Sequence, residues 1–146
     1  MIYIGADHRG YKLKEKLKDY LSALRYEYED MGANKYDEND DYPDFAKPVS
    51  EKVAEDPEKN IGILLCGSGV GVDIVANRFK GVRSALVSTV DMAGHARRND
   101  NCNVLSLAAD ILEEKKMKKM VKTFLETKFA GEEKYVRRLR KIEEIE

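Results

Sequence analysis

The chain is 146 residues long, and its 26 basic side chains against 27 acidic ones leave a net charge of −1. That is the size of one domain with a real core, and the charge balance gives no global attraction to nucleic acid or to an anionic membrane. No apolar stretch reaches the length of a membrane span, and the opening MIYIGADHRG reads as a strand running into polar residues rather than a signal peptide. Cys66 and Cys102, with no secretory signal ahead of them, are therefore expected as reduced thiols in a cytoplasm and not as a disulfide.

In chain order, residues 1–5 form an apolar β pattern. Leu13, Leu17, Tyr20, Leu21 and Leu24 then recur at helical spacing. A strand is expected near residues 27–31, followed by a polar loop over 32–41, and Pro43 suits the first turn of a helix running to about Ala54. Residues 61–66 are a short apolar run without helical period, as for a strand buried on both faces. Val72, Ile74, Val75 and Phe79 predict a helix beginning at Val70 or Gly71. Strands at 82–87 and 103–107 flank a helix at 91–98. Met117, Met120, Val121, Phe124 and Leu125 mark a long helix, and Tyr135, Leu139 and Ile142 a last one. The alternation predicts a single α/β domain over 1–146. Its form is a three-layer α/β/α Rossmann-like fold, with a five-stranded, mainly parallel sheet whose site lies at the carboxyl ends of the strands.

One segment is shaped for chemistry. IGILLCGSGVG, residues 61–71, delivers Cys66 to a loop with glycines at 67, 69 and 71, which leave room for backbone N–H groups to converge on an oxyanion. The start of the following helix would add its positive end, favouring a thiolate at Cys66 or an enediolate oxygen. A lone cysteine at a strand end is more often a small buried hydrophobe; the glycines reverse that balance. Nucleotide loops fit worse: G-x-G-x-x-G would need glycine where Val72 stands, and no G-x-x-x-x-G-K-[ST] is present. A flavodoxin-like nucleotide binder is thus the weaker alternative. By the strand-end rule, Asp7 and His8 after the first strand, Tyr42 before the second helix and residues 99–103 before the last strand join Cys66 at one edge.

Four stretches together, GADHRGYKLK (5–14), DYPDFA (41–46), GILLCGSGVGVDIVANRFKGVRSAL (62–86) and NVLSL (103–107), resemble the sugar-phosphate isomerase family of type B ribose-5-phosphate isomerases and galactose-6-phosphate isomerase subunits. The resemblance implies aldose–ketose interconversion of a sugar phosphate through a cis-enediolate, without metal or cofactor. Ribose 5-phosphate and ribulose 5-phosphate are the default pair. On matching positions Cys66 would be the base, and Gly67, Gly69, Val70 and Gly71 would hold the oxyanion. Ser68 would donate to the sugar, Asp7 and His8 would bind it and assist ring opening, and Tyr42 would line the pocket. It also implies a homodimer or tetramer in which the C-terminal helices, about 112–146, pack on a partner.

The chain departs from that pattern in its ring-opening and phosphate half. Where the family carries R-x-H-N, this chain has Arg97, Arg98, Asn99 and Asp100, so Asn99 stands at the histidine position, with His95 one helical turn earlier. Where the family has an arginine after the last strand, Ala109 and Asp110 stand, a cation lost or reversed in sign. The arginine pair near the end is matched by Lys134 and Arg138, on a basic face balanced by Glu143, Glu144 and Glu146. These changes point to a different pentose or hexose phosphate, or to a non-catalytic or regulatory subunit of a mixed oligomer.

Overall fold

The computed structural model describes residues 1–145; Glu146 lies outside them. Five strands, β1 (Ile2–Ala6), β2 (Tyr28–Asp30), β3 (Ile61–Cys66), β4 (Ser84–Leu86) and β5 (Val104–Ala108), form one sheet in the order β2-β1-β3-β5-β4, parallel at every pairing. Six helices accompany them: α1 (Tyr11–Ala23), α2 (Pro43–Glu55), α3 (Val70–Ala76), α4 (Val90–Asp100), α5 (Glu114–Glu126) and α6 (Glu133–Glu143).

Successive side chains of a strand point to opposite faces, so a strand covered on both sides must be apolar throughout. In β3, Ile63 and Leu65 join a cluster with Leu17 and Leu21 of α1, Ala93 and Ala96 of α4, and Met117, Met120, Val121 and Phe124 of α5. Leu64 and Cys66 face the other way, into Ala46, Val49 and Val53 of α2 and Val72 and Ala76 of α3. This is the three-layer architecture read from the sequence, with the sheet wholly rather than mainly parallel.

Two boundaries differ from the expected pattern. The fourth strand shrinks to three half-buried residues at the sheet edge. Phe79 falls beyond α3, because the Asn77 side chain donates to the Ser84 carbonyl at 3.1 Å and accepts the Ser84 amide at 2.9 Å, turning the chain toward β4. Helix α6 buries no residue at all.

One buried ion pair bears on the site. Lys14 of α1 is fully buried; its ammonium donates to Asp30 at 2.6 and 2.7 Å and to the Ala33 carbonyl at 2.8 Å. It thereby ties α1 to the start of the 32–42 loop, which carries Asp40 and Tyr42. Burial alone would push the Asp30 carboxyl up, but hydrogen bonds from Lys14, the Gly32 amide and Lys18 outweigh it and hold the group below its ordinary value.

Candidate active site

The carboxyl ends of β1, β3 and β5 lie side by side, because β3 is central and pairs with both neighbours. Cys66 ends β3. It is buried, with its strand side in apolar packing, and its Sγ accepts the Gly69 amide at 3.2 Å. Gly69 makes that approach with φ of +74°, a left-handed conformation that a side chain would strain, and a Cβ there would meet Leu86 at 2.5 Å. The amide turns the positive end of its dipole toward the sulfur.

The loop then enters α3 directly. Asp73 to Gly69 is the first helical hydrogen bond, so the amides of Gly71 and Val72 have no carbonyl within the helix to receive them. Ser68 is exposed and its Oγ accepts the Val70 amide at 3.2 Å. Tyr42, the N-cap of α2, brings its ring over Gly71: a Cβ on that glycine would lie 2.6 to 2.8 Å from three ring carbons. Pro43 at the first helical position sets this entry.

The β1 end contributes an oriented imidazole. His8 Nδ1 lies 2.7 Å from Asp40 Oδ1, which also accepts the His8 amide at 2.9 Å. The bond to Asp40 raises the His8 pKa above its ordinary value, against a smaller opposing effect of desolvation. With Nδ1 engaged, Nε2 is the nitrogen left for chemistry. Asp7 is buried and spends Oδ1 on the amides of Arg9 and Gly10, holding the turn into α1; burial raises its pKa, and those amides oppose the rise. Asp7, His8 and Asp40 place ligand-type atoms within 4.8 Å of one another. Since His8 is bonded to Asp40 and Asp7 to the turn, their arrangement serves imidazole placement better than it serves a cation.

The structure thus gathers Asp7, His8, Tyr42, Cys66, Ser68 and the 67–71 loop at one edge. It does not gather Asn99, Lys134 or Arg138 there. Asn99 sits in the last turn of α4, at the amino end of the sheet, half-buried with an Oδ1 that has no partner. Helix α6 begins beside Arg98, whose carbonyl accepts the Ala130 amide at 3.0 Å, and Ile142 lines a cleft with Ser84 and Cys102, again at the amino end. His95 is exposed, with Nε2 3.7 Å from Asp100. Cys102 is a free, buried thiol that burial pushes up to about 12, which marks it as structural.

Two site residues escaped the sequence reading. Asp40 is one of several acids in a polar loop, and nothing local marks it as the partner of His8, 32 positions away. Arg9 is the other: its guanidinium lies over Gly67 and is bound by Asp110.

Fold and site together define an α/β enzyme equipped for acid–base chemistry at the carboxyl edge of a parallel sheet. A family model described as Ribose/Galactose Isomerase matches residues 2–142. The structure superposes on ribose-5-phosphate isomerase B from Mycoplasma genitalium with bound ribulose-5-phosphate, with a TM-score of 0.96 and 42% identity, covering 99% of this chain and 94% of that one. For the Thermotoga maritima ribose 5-phosphate isomerase the TM-score is 0.91 at 43% identity, covering 98% and 97%. The Mycobacterium tuberculosis ribose-5-phosphate isomerase B is 34% identical over 145 residues, 99% of this chain and 89% of the relative. The chain belongs to the ribose/galactose isomerase family and is an isomerase of the ribose-5-phosphate isomerase B type. No helix among the described residues is long and apolar enough to cross a membrane.

Proposed function

We propose that this isomerase interconverts ribose 5-phosphate and ribulose 5-phosphate, with Cys66 as the base and without a metal. The observation that carries the reading is the Cys66 sulfur receiving the Gly69 amide inside the glycine loop. The likeness to an enzyme that holds ribulose-5-phosphate supports the choice of substrate.

Ring opening comes first, because the cyclic sugar has no acidic proton beside a carbonyl. The bond between C1 and the ring oxygen breaks, the C1 hydroxyl loses its proton to His8 Nε2, and the ring oxygen takes up a proton. Asp40 keeps the imidazole in the tautomer that accepts at Nε2. The Cys66 thiolate then removes the C2 proton, the electron pair forms the C1–C2 double bond, and the carbonyl oxygen becomes an enediolate oxygen facing the loop amides. Return of the proton to C1, with transfer of the C2 hydroxyl proton to the C1 oxygen, gives the ketose. Hydrogen moves only as a proton, so no redox cofactor is called for.

Asn99, Lys134 and Arg138 complete the site in this reading from a second copy of the chain, in a homodimer. The absence of any buried residue on α6 supports this packing role for the C-terminal helices. The protein works in a reducing cytoplasm, where Cys66 stays reduced.

The test is a panel of pentose and hexose phosphates assayed in EDTA, with incorporation of solvent deuterium at C2 as a second readout. Ribose 5-phosphate is expected to turn over, and Cys66→Ala to abolish exchange while keeping the native melting curve. Exchange retained in Cys66→Ala overturns the base assignment. Asn99 in place of a histidine favours one second reading, a silent subunit, for which sugar phosphate stabilises the fold with no turnover on any substrate.

A further inference from the structure

Arg9 occupies a position that stability does not explain. Its amide is held by Asp7 Oδ1 at 3.0 Å, so the side chain leaves the end of β1 in a set direction. It crosses the end of β3: a Cβ on Gly67 would lie 2.5 Å from Arg9 Nε and 2.6 Å from Cζ, so a side chain there would push the guanidinium aside. On the far side, Asp110 accepts from Nε at 3.3 Å and from Nη2. Asp110 is itself anchored to the same loop, its amide donating to the Gly67 carbonyl at 3.0 Å. One arginine therefore links the ends of β1, β3 and β5 across the mouth of the Cys66 loop.

The pair is half open to solvent, with side chains 57% and 38% exposed. Exposed pairs contribute little to folding, so the bond to Asp110 is better understood as aiming the guanidinium. Asp110 takes the edge formed by Nε and Nη2. Nη1 has no acceptor among the described residues, and with the remaining N–H of Nη2 it presents the planar, two-donor edge that matches two oxygens of a phosphate. The acid at 110, which in the sequence reads as a cation reversed in sign, holds a cation reaching over from the other side of the loop.

We propose that Arg9 binds the phosphate group of the substrate and that Asp110 is its positioning residue. This rests on the reading that the site takes a sugar phosphate. It assigns the phosphate end of the substrate to the space above Gly67, within the same chain as Cys66.

The experiment compares wild type, Arg9→Ala and the transposed Arg9→Ala/Asp110→Arg in the full-length protein. It measures KM and kcat for ribose 5-phosphate and the inhibition constant of inorganic phosphate, which is also followed by calorimetry. Arg9→Ala is expected to raise both KM and the phosphate constant about tenfold or more, as for loss of a charge-assisted pair, with a smaller change in kcat. The transposed variant, which returns an arginine to the same place from β5, is expected to recover part of that loss; a merely structural pair would not be rescued this way. Unchanged KM and phosphate binding in Arg9→Ala, or a fall confined to kcat and melting temperature, overturns the assignment. A wild type that binds phosphate through Arg9 yet turns over no sugar phosphate would sink the proposed activity while leaving this inference standing.

Discussion

Removing the carboxylate of Asp30 should cost more stability than removing the ammonium of its partner, because the two are unequally provided for. Lys14 is fully buried, and without Asp30 it keeps the Ala33 carbonyl at 2.8 Å, a half-exposed Glu15 at 3.6 Å and the Tyr11 ring at 5.7 Å, but no buried carboxylate. A buried charge stripped of its partner costs about 3–5 kcal/mol. Asp30 without Lys14 keeps the Gly32 amide at 3.0 Å and the Lys18 ammonium at 3.0 Å. Lys14→Met, which retains most of the buried stem, should therefore cost on the order of 1–2 kcal/mol. In urea at pH 7, with a slope of about 2 kcal/mol per molar, the midpoint falls by about 2 M for Asp30→Ala and by less than about 1 M for Lys14→Met. Equal shifts, or a larger one for Lys14→Met, would refute the reasoning.

The pair also sets an acid limb. Because the folded pKa of Asp30 is depressed, its stabilisation is present above the ordinary value of 3.8 and is lost as pH falls through the lower folded value. Asp7 and Asp73 are raised, chiefly by burial, so they oppose folding above 3.8 and that opposition eases on acidification. Acid unfolding of the wild type is thus a partial cancellation, and in Asp30→Ala the destabilising arm should be weakened.

Two further substitutions probe the site. Asp40→Asn removes the carboxylate charge that raises the His8 pKa, so the acid limb of the kcat/KM profile should move to lower pH; NMR titration of the His8 imidazole checks the same shift, and an unmoved titration would deny Asp40 its role. Gly71→Ala sets a methyl 2.6 to 2.8 Å from the Tyr42 ring, which is partly exposed and free to swing aside. KM should rise with little change in melting temperature, and an unaltered KM would show that Tyr42 does not line the substrate pocket.

The sheet was readable because its evidence is local. Ile63 and Leu65 go to one face and Leu64 and Cys66 to the other, so a continuous apolar run means cover on both sides. The order was less readable: β5 inserts between β3 and β4, and only the contrast between fully buried Val104, Leu105 and Leu107 and the half-buried Ser84–Leu86 hints that β4 is the edge. The Cys66 loop could be seen for the same reason of locality, since cysteine and glycines are adjacent in the chain. The pairs that tune it could not. His8 meets Asp40 and Arg9 meets Asp110 across 32 and 101 positions, and an acid in isolation carries no sign of which base it holds.

Charge accounting at the sheet edge leads to one last expectation. Both basic groups beside the Cys66 loop come with a carboxylate, His8 with Asp40 and Arg9 with Asp110, so a single chain offers a phosphate hydrogen bonds but little net positive charge. Helix α6 has the opposite problem: Lys134 has a loose partner in Glu132 at 3.7 Å and the Tyr135 ring at 5.0 Å, and the helix buries nothing. The two deficits cancel if α6 of one chain serves the site of another. Lys134→Ala/Arg138→Ala should then remove most of the phosphate affinity, and with it the activity, while leaving Cys66 sound, and Cys66→Ala should spare α6. Co-refolded in equal amounts, the two inactive variants would form mixed dimers in which one site combines an intact thiol with intact cations. Random pairing predicts recovery of about a quarter of wild-type activity in a two-fold dimer. If the cations act in their own chain, every site in the mixture lacks one component or the other, and no activity returns.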